Sequence, residues 1–310
     1  MSKTALFFPG QASQYVGMGK DLYEHSADVR RLYEFASDQL SADIAHLSFE
    51  GPAEELKRTK FTQPAIMLHS LAVLTVLQNE IPSFQFAAGH SLGEYAALSA
   101  AGVLRFTDAI AAVIRRATLM EEACVQNPGT MAAIMGLDDA TLEKVCADAS
   151  DVGIVVPANY NSNNQTVISG HIDAVKKAAE LAKAAGAKRA ILLEVGGAFH
   201  SPLMASARDG LQAYLADMVI LPSRQKVVAN VTAQPAATGD EIKKLLVEQV
   251  TAPVRWAQTM SYLAGQGVTK VIEVGPGKVL TGMAKREMQL EQTLNLDTLA
   301  DVKSLMAVSA

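Results

Sequence analysis

The sequence predicts an α/β protein with a parallel sheet flanked by helices and a smaller unit inserted into it. Two observations predict this class. Short apolar strands alternate with longer helical patterns through most of the chain, which is typical of a parallel sheet with helical crossovers. Residues from about 127 to 198 instead follow the order β-α-β-β-α-β of the split ferredoxin-like unit. The 310 residues, 49% of them hydrophobic, suffice for one large domain with an insert.

The first half of the chain supplies two strands of the large unit. Thr4 to Phe8 is apolar and ends at Pro9-Gly10, and Phe84 to Ala88 runs into Gly89. Helical patterns are predicted over residues 27–39, 63–77, 92–101 and 107–124. No Pro/Gly/Ser-rich linker divides the chain.

The insert accounts for the middle of the chain. Its strands are predicted at residues 131–137, 154–158, 165–169 and 189–195, and its helices at 138–148 and 172–185. Aspartates cap the first of these helices and Gly186 closes the second. The large unit resumes with a helix near Met204, strands at 226–230 and 270–274, and closing helices. We therefore expect residues 1–126 and 199–310 to form a large subdomain and residues 127–198 a small one.

Composition excludes several classes of function. A charged fraction of 19% is too low for a disordered chain, and a net charge of -5 is too acidic for a protein that coats nucleic acid. No uninterrupted run of 18 apolar residues predicts a membrane span, and the apolar start is too short for a secretory signal. Cys124 and Cys146 form no metal or disulfide pattern. We expect a cytoplasmic protein with no metal, cofactor, nucleic-acid partner or membrane partner.

The segment Gly89-His90-Ser91-Leu92-Gly93 is a G-x-S-x-G sequence between a predicted strand and a predicted helix. The turn is too tight for side chains at its first and last positions, and its strained corner lifts Ser91 above the sheet. The helix beginning at Leu92 directs N–H groups toward the same place. Ser91 is therefore a candidate nucleophile, with an ordinary structural serine as the alternative. Gly10 to Gln14, after the first strand, is the candidate source of a second oxyanion donor or a simple turn.

A nucleophilic serine needs a base, and the chain has six histidines. His90 adjoins Ser91, but neighbours on such an elbow point in different directions. Four others are expected in packing or at the surface: His25, His46, His69 and His171. His200 follows a flexible glycine pair and precedes a helix start, so its loop could reach over Ser91. Glu194 and Glu273 are possible partners for its ring, and a backbone carbonyl would serve equally well.

Arg116 lies on the apolar face of the helix predicted over residues 107–124, about 100° from Arg115. A guanidinium on such a face must find an anion or remain unpaired at a cost of several kcal/mol. A structural ion pair, packing of the aliphatic stem and a clamp for a substrate carboxylate all satisfy this requirement. The sequence leaves these alternatives open.

These motifs together resemble a known family, the malonyl-CoA:acyl-carrier-protein transacylases of bacterial fatty-acid synthesis and the related acyltransferase domains of polyketide synthases. The matching segments lie in order over almost the whole chain: residues 8–14 (FPGQASQ), 62–65 (TQPA), 89–95 (GHSLGEY), Arg116, 159–162 (NYNS), 197–201 (GAFHS), Gln249, 253–256 (PVRW) and 273–277 (EVGPG).

The resemblance implies an α/β-hydrolase-like core with an inserted ferredoxin-like subdomain. It implies Ser91 as the acylated nucleophile and His200 as its base. Further roles follow from the family: backbone N–H groups of Gln11 and Leu92 as the oxyanion hole, Arg116 as the partner of the malonyl carboxylate, Gln63 and Asn161 as substrate-binding residues, and the main-chain carbonyl of Gln249 as the group that orients His200. Ala12 stands where the family commonly has glycine.

The resemblance also implies the substrates and the acceptor. Phe199, before the histidine, is associated with malonyl in this family, because a bulky ring leaves little room for an extra methyl; such discrimination is worth about 1–3 kcal/mol. We expect malonyl-CoA as donor, holo acyl carrier protein as acceptor and a monomeric enzyme that needs no ATP. A serine esterase or thioesterase is the alternative, and a non-catalytic subunit that docks a carrier protein is a second one.

Overall fold

Two separate sheets form in this computed structural model, which describes residues 2–223 and 225–309. Within those ranges the strands are β1 Lys3–Phe8, β2 Phe86–Gly89, β3 Thr130–Met135, β4 Val155–Ser162, β5 Gln165–Gly170, β6 Arg189–Leu192, β7 Lys226–Val228, β8 Val268–Val274 and β9 Gln292–Leu296. One sheet has the order β7-β2-β1-β8-β9, and all of its pairs are parallel. The other has the order β4-β5-β3-β6, and all of its pairs are antiparallel.

Helices connect and cover these sheets. They are α1 Lys20–His25, α2 Ala27–Leu40, α3 Ile44–Glu50, α4 Ala53–Leu56, α5 Thr59–Leu77, α6 Gly93–Ala100, α7 Phe106–Gln126, α8 Asp139–Ala149, α9 Ile172–Ala184, α10 Ala205–Leu215, α11 Gly239–Glu248, α12 Trp256–Gly265, α13 Val279–Glu287 and α14 Leu299–Ser309. The predicted α/β class, with a parallel sheet and a second, smaller sheet, is confirmed.

The parallel sheet positions the site. The last four residues of β1 are fully buried, as expected for a central strand covered on both faces. Strands β7, β2 and β1 are neighbours, so the loops after their carboxyl ends emerge side by side. Those loops begin at Ala229, His90 and Pro9. Ligands of open parallel sheets bind at this edge.

The antiparallel sheet has the ferredoxin-like order that its sequence pattern predicts. Helices α8 and α9 pack on one face of it, and their apolar residues form a separate core with the strands. Its strands all come from residues 130–192, between strands of the parallel sheet. The exact division into residues 1–126 with 199–310 and residues 127–198 stays a prediction.

Helix α5 is apolar and long enough to cross a membrane by length and composition, but 83% of its 18-residue apolar window is buried inside the protein. Its side chains belong to the large core of the parallel-sheet unit. Burial of each large aliphatic residue contributes about 1.5–3 kcal/mol, so this helix is held by packing. It is a core helix.

Several predicted boundaries are wrong. Helix α5 begins at Thr59 rather than Gln63, because Pro64 is accommodated inside the helix. Strand β6 ends at Leu192 rather than Val195, and β7 ends at Val228 rather than Asn230. Strand β9 was missed because its pattern is weak, and it forms by parallel pairing with β8.

Candidate active site

The turn between β2 and α6 is built by close contact of backbone with backbone. A Cβ added to Gly89 would collide with the backbone of Gly93, and one added to Gly93 would collide with the carbonyl of Phe8. Ser91, at the corner, has φ of 52°, in the left-handed region that costs a non-glycine residue about 1–2 kcal/mol. The requirement for glycine at both ends, predicted from the motif, therefore has a steric cause.

Ser91 lies beside the imidazole that the sequence singles out. Ser91 Oγ is 2.9 Å from His200 Nε2, and His200 Nδ1 is 2.7 Å from the main-chain oxygen of Gln249. Because a carbonyl oxygen only accepts, Nδ1 carries the ring proton and Nε2 presents a lone pair to the serine hydroxyl. The hydroxyl therefore donates to the ring, as nucleophilic activation requires.

The environment keeps His200 neutral. Burial, together with the positive charge of Arg116, lowers the pKa of its ring to about 3. At neutral pH the imidazole is therefore free to accept a proton. An imidazolium formed during reaction would gain from any negative charge that develops at the same time.

The Arg116 guanidinium reaches the same hydroxyl although its helix lies behind the turn. The side chain is 1% exposed. One terminal nitrogen donates to Ser91 Oγ at 2.9 Å and to Gln249 Oε1 at 3.0 Å, and the other donates to Gln63 Oε1 at 2.6 Å. Within the described part of the chain Arg116 forms no ion pair, so the alternative of a structural ion pair is wrong. Arg115 is exposed.

The resemblance assigns the oxyanion hole to the backbone N–H groups of Gln11 and Leu92. Gln11 and Leu92 both line the cavity that contains Ser91. Among residues 2–223 and 225–309, neither amide donates to a protein acceptor. Ala12, between Gln11 and Ser13, has φ of 78°, which explains why glycine suits this position, and its N–H donates to Gln14 Oε1.

A cavity of about 330 Å³ opens over Ser91 between the two sheets. Residues from the parallel-sheet side and from β3, β4 and β5 line it together. Among the predicted substrate residues, Phe199, Gln63 and Asn161 all lie on its wall. Asn161 Oδ1 is 2.9 Å from His90 Nε2, so His90 is tied to the wall rather than to the serine.

Neither glutamate considered as an orienting group for His200 serves that purpose. Glu194 is exposed. Glu273 is fully buried, but its carboxylate accepts from the N–H groups of Leu280 and Thr281 at the start of α13. The ring partner is a backbone carbonyl, which the residue pattern left open and the resemblance implied.

Two polar residues of the site were not predicted. Glu94, in the first turn of α6, is 3% exposed, and burial raises its pKa to about 7. Asn230, just after β7, accepts from Ser91 N at 2.7 Å and donates to Gly89 O at 2.7 Å. A charged residue within the apolar stretch that follows Ser91 was a signal for Glu94. No local signal marks Asn230.

The described residues contain no group of three or more His, Cys, Asp and Glu side chains that could hold a metal ion. Cys124 and Cys146 are both free, and burial raises the pKa of each thiol, to about 11 and about 12.

A serine elbow whose hydroxyl contacts both a neutral histidine and a buried arginine suits an enzyme that transfers acyl groups, and the comparisons agree. The acyl transferase domain family matches residues 6–304, and the chain belongs to this family. The resemblance to malonyl-CoA:acyl-carrier-protein transacylases is confirmed by a Bacillus subtilis relative, a malonyl CoA-acyl carrier protein transacylase, which is 45% identical over 92% of this chain and 90% of its own.

Solved structures extend the comparison to the whole fold. An acyl carrier protein S-malonyltransferase from Vibrio cholerae is 42% identical, with a TM-score of 0.92 over 98% of this chain and 100% of its own. A malonyl-transacylase solved in complex with a type II PKS acyl-carrier protein is 38% identical, with a TM-score of 0.93 over 99% and 100% of the two chains.

Proposed function

We propose that this protein transfers a malonyl group from coenzyme A to the phosphopantetheine thiol of an acyl carrier protein, with an ester of Ser91 as the intermediate. The observation that carries the proposal is the contact of Ser91 Oγ with both a neutral imidazole and a buried guanidinium. The imidazole suits acyl transfer, and the guanidinium suits an acyl group that ends in a carboxylate. The names of the relatives support the same donor and acceptor.

In the first half-reaction Ser91 Oγ attacks the thioester carbon while its proton passes to His200 Nε2. The carbonyl oxygen becomes an oxyanion that accepts from the amides of Gln11 and Leu92; each such donor is worth about 10²–10³ in rate. The carbon–sulfur bond then breaks, and the coenzyme A sulfur takes the proton from His200. The products are the malonyl ester of Ser91 and free coenzyme A.

In the second half-reaction the carrier-protein thiol gives its proton to His200 and attacks the ester carbon. The tetrahedral intermediate collapses, the new thioester leaves, and the Ser91 oxygen recovers the proton. One thioester replaces another of similar free energy, so the exchange needs no ATP.

Substrate recognition in this scheme depends on the cavity wall. Arg116 turns from Ser91 toward the malonyl carboxylate, to which its fork can donate two hydrogen bonds. The Phe199 ring limits the room for branched acyl groups. Gln63, which already contacts the guanidinium, and Asn161 complete the polar part of the wall.

The decisive test is intact-protein mass spectrometry after incubation with malonyl-CoA, followed by peptide mapping. The parent protein should gain one malonyl group on Ser91 and lose it when holo carrier protein is added. Ser91→Ala should gain none. Label retained by Ser91→Ala would refute the nucleophile, and release of free malonate without a carrier protein would indicate a thioesterase. A protein that binds carrier protein but never carries an acyl group would be a docking subunit.

Docking of an acidic carrier protein requires a local basic patch, because the whole chain is acidic. Lys278, Lys285 and Arg286 are exposed on or beside α13, whose Leu280 and Met283 line the cleft. We assign docking to this patch. Lys285→Glu should raise KM for the carrier protein and leave acylation by malonyl-CoA unchanged. An unchanged KM would exclude the patch and leave Lys188 with Arg189 as the alternative.

The proposal also covers the cellular location and the oligomeric state of the enzyme. We place the enzyme in the cytoplasm as a monomer, without nucleic-acid or membrane partners. The free cysteines and acidic composition support this assignment. Sedimentation of the purified protein would test the oligomeric state, and a dimer would overturn it.

A further inference from the structure

The buried carboxylate of Glu94 stands one residue behind the catalytic groups. It is absent from the cavity wall, yet its Oε2 accepts from Gln249 Nε2 at 2.7 Å and from Asn230 N at 3.0 Å. Both residues also contact the backbone of Ser91: Gln249 Nε2 donates to Ser91 O, and Asn230 Oδ1 accepts from Ser91 N. Glu94 is therefore connected to the backbone of Ser91 through two different segments of the chain.

Gln249 is the junction of the catalytic groups. Its main-chain oxygen accepts from His200 Nδ1, its Oε1 accepts from Arg116, and its Nε2 donates to Ser91 O at 3.1 Å as well as to Glu94. An amide has one oxygen that accepts and one nitrogen that donates. A flipped amide would place its NH₂ against the guanidinium and its oxygen against the carboxylate, and both contacts would be repulsive. Glu94 and Arg116 together therefore determine which way Gln249 faces.

Asn230 provides the second connection between Glu94 and Ser91. Its N–H donates to Glu94, its Oδ1 accepts from Ser91 N, and its Nδ2 donates to Gly89 O. The last two bonds hold the chain that enters the strained corner at Ser91, and Gln249 Nε2 holds the Ser91 carbonyl on the other side. A backbone anchored in this way by a carboxylate keeps the serine in its left-handed conformation.

Glu94 also supplies charge where Arg116 lacks a direct partner. The Arg116 side-chain contacts are to neutral groups, and its buried Nε has no acceptor among the described residues. When Glu94 is ionised, above its pKa of about 7, its charge attracts the guanidinium across the Gln249 amide. Arg116 is thus a cation that contacts no carboxylate of the described residues directly, which suits it to bind a substrate carboxylate.

We propose that Glu94 is a positioning residue for acyl transfer: its carboxylate holds Gln249 and Asn230, and through them His200, Arg116 and Ser91, in their reactive arrangement. The proposal rests on the proposed function, because it concerns the same acylated serine. Glu94 itself touches no reacting atom in this arrangement.

The test compares Glu94→Ala with Glu94→Gln in rapid-mixing acylation by malonyl-CoA, recording burst amplitude and rate constant separately. A glutamine oxygen can accept from both Gln249 and Asn230, so Glu94→Gln should remain within about fivefold of the parent rate. Glu94→Ala should show full amplitude and a rate constant lower by about 10²-fold. A merely structural role would lower the amplitude and leave the rate constant unchanged.

Glu121→Gln is the matched control. Glu121 also accepts from one main-chain N–H, that of Lys60, and from one side chain, that of Arg58, but among the described residues no hydrogen bond joins either donor to Ser91. This variant should keep the parent rate. Glu94→Ala acylating within threefold of the parent, or equal rates for Glu94→Ala and Glu94→Gln, would overturn the proposal. Absence of acylation in the parent and in Glu121→Gln would instead show that the proposed function is wrong.

Discussion

Two buried glutamates in this protein serve different purposes, although burial raises the pKa of both. Glu273 is fully buried at the end of β8 and accepts from Leu280 N, Thr281 N, Thr281 Oγ1 and Asn295 Nδ2. These donors belong to the start of α13 and to β9. The Glu273 carboxylate therefore fastens two elements of the fold together.

Glu94 is buried to nearly the same extent, but its two donors, Gln249 and Asn230, belong to the surroundings of Ser91. Gln249 and Asn230 each make a further hydrogen bond to Ser91. The two carboxylates are alike in burial and in the direction of their pKa shifts, so these properties do not identify the one that supports Ser91. The difference lies in the residues that donate to them: those of Glu94 also contact Ser91, whereas those of Glu273 belong to α13 and β9.

The largest expected effect concerns Arg116, the cation that shares the Gln249 side chain with Glu94. Arg116→Ala should lower kcat/KM for malonyl transfer by about 10³-fold, or about 4 kcal/mol, since a buried partner of the substrate carboxylate is lost. Acetyl transfer, which lacks that carboxylate, should change by less than about tenfold. Both rates are measured with acyl-CoA and holo carrier protein. Arg115→Ala, its exposed neighbour, is the control, and an equal loss for both acyl groups would contradict the clamp.

The next effect concerns the contribution of Glu273 to the stability of the fold. Glu273→Ala removes the acceptor of several buried donors, so the free energy of unfolding should fall by about 3 kcal/mol. Denaturant unfolding measures this change. Ser91 acylation per folded molecule should stay within about threefold of the parent. Loss of acylation at unchanged stability would contradict the assignment of Glu273 to stability and of Glu94 to acyl transfer.

A third prediction uses the pKa of Glu94, which is about 7 in the folded protein against an ordinary value of 4.5. The folded state therefore binds the proton more tightly, and this stabilisation is complete below pH 4.5 and is lost as the pH rises to about 7. Glu94→Gln has no such proton. Its stability relative to the parent should rise over that window by about 3 kcal/mol and then level off.

Unfolding of both proteins in denaturant between pH 4 and 8 checks this prediction. His200, whose pKa is lowered, has the opposite effect, with stability lost as the pH falls below its ordinary value. It is present in both proteins, so its contribution cancels in the difference. A difference that does not change with pH would mean that Glu94 titrates normally.

The smallest expected effect is at Ala12, which among the described residues is hydrogen-bonded to neither Glu94 nor Glu273. Its φ of 78° is strained for alanine, but glycine would give the unfolded chain more freedom. Ala12→Gly should therefore change the free energy of unfolding by less than about 1 kcal/mol. The acylation rate should be unchanged, because the N–H of residue 12 can still donate to Gln14. A rate change above threefold would show that this loop tunes the neighbouring Gln11 amide.

Much of the site was open to prediction because its signals are local. The glycines around Ser91 follow from crowding of backbone against backbone, and Arg116 stood out as a charge on an apolar helical face. The resemblance then implied the main-chain carbonyl of Gln249, which the spacing of Glu194 and Glu273 left undecided.

Other features had no local signal. Strand β9 exists because β8 offers it a parallel partner, and its own sequence is short and half-exposed. Asn230 is an unremarkable residue after a strand until the fold brings it to Ser91 N, 139 positions away. Propensity and spacing carry no information about such a pairing.

By itself the sequence determined the strand-turn-helix at Ser91, the alternation that makes a parallel sheet and the antiparallel insert, because each depends on steric and apolar patterns among near neighbours. Only the tertiary structure decided that Asn230 meets the backbone of Ser91 and which of the buried carboxylates stands behind it. Those contacts join residues 139 and 155 positions apart. Hydrogen bonds across such distances arise only after packing has brought their elements together.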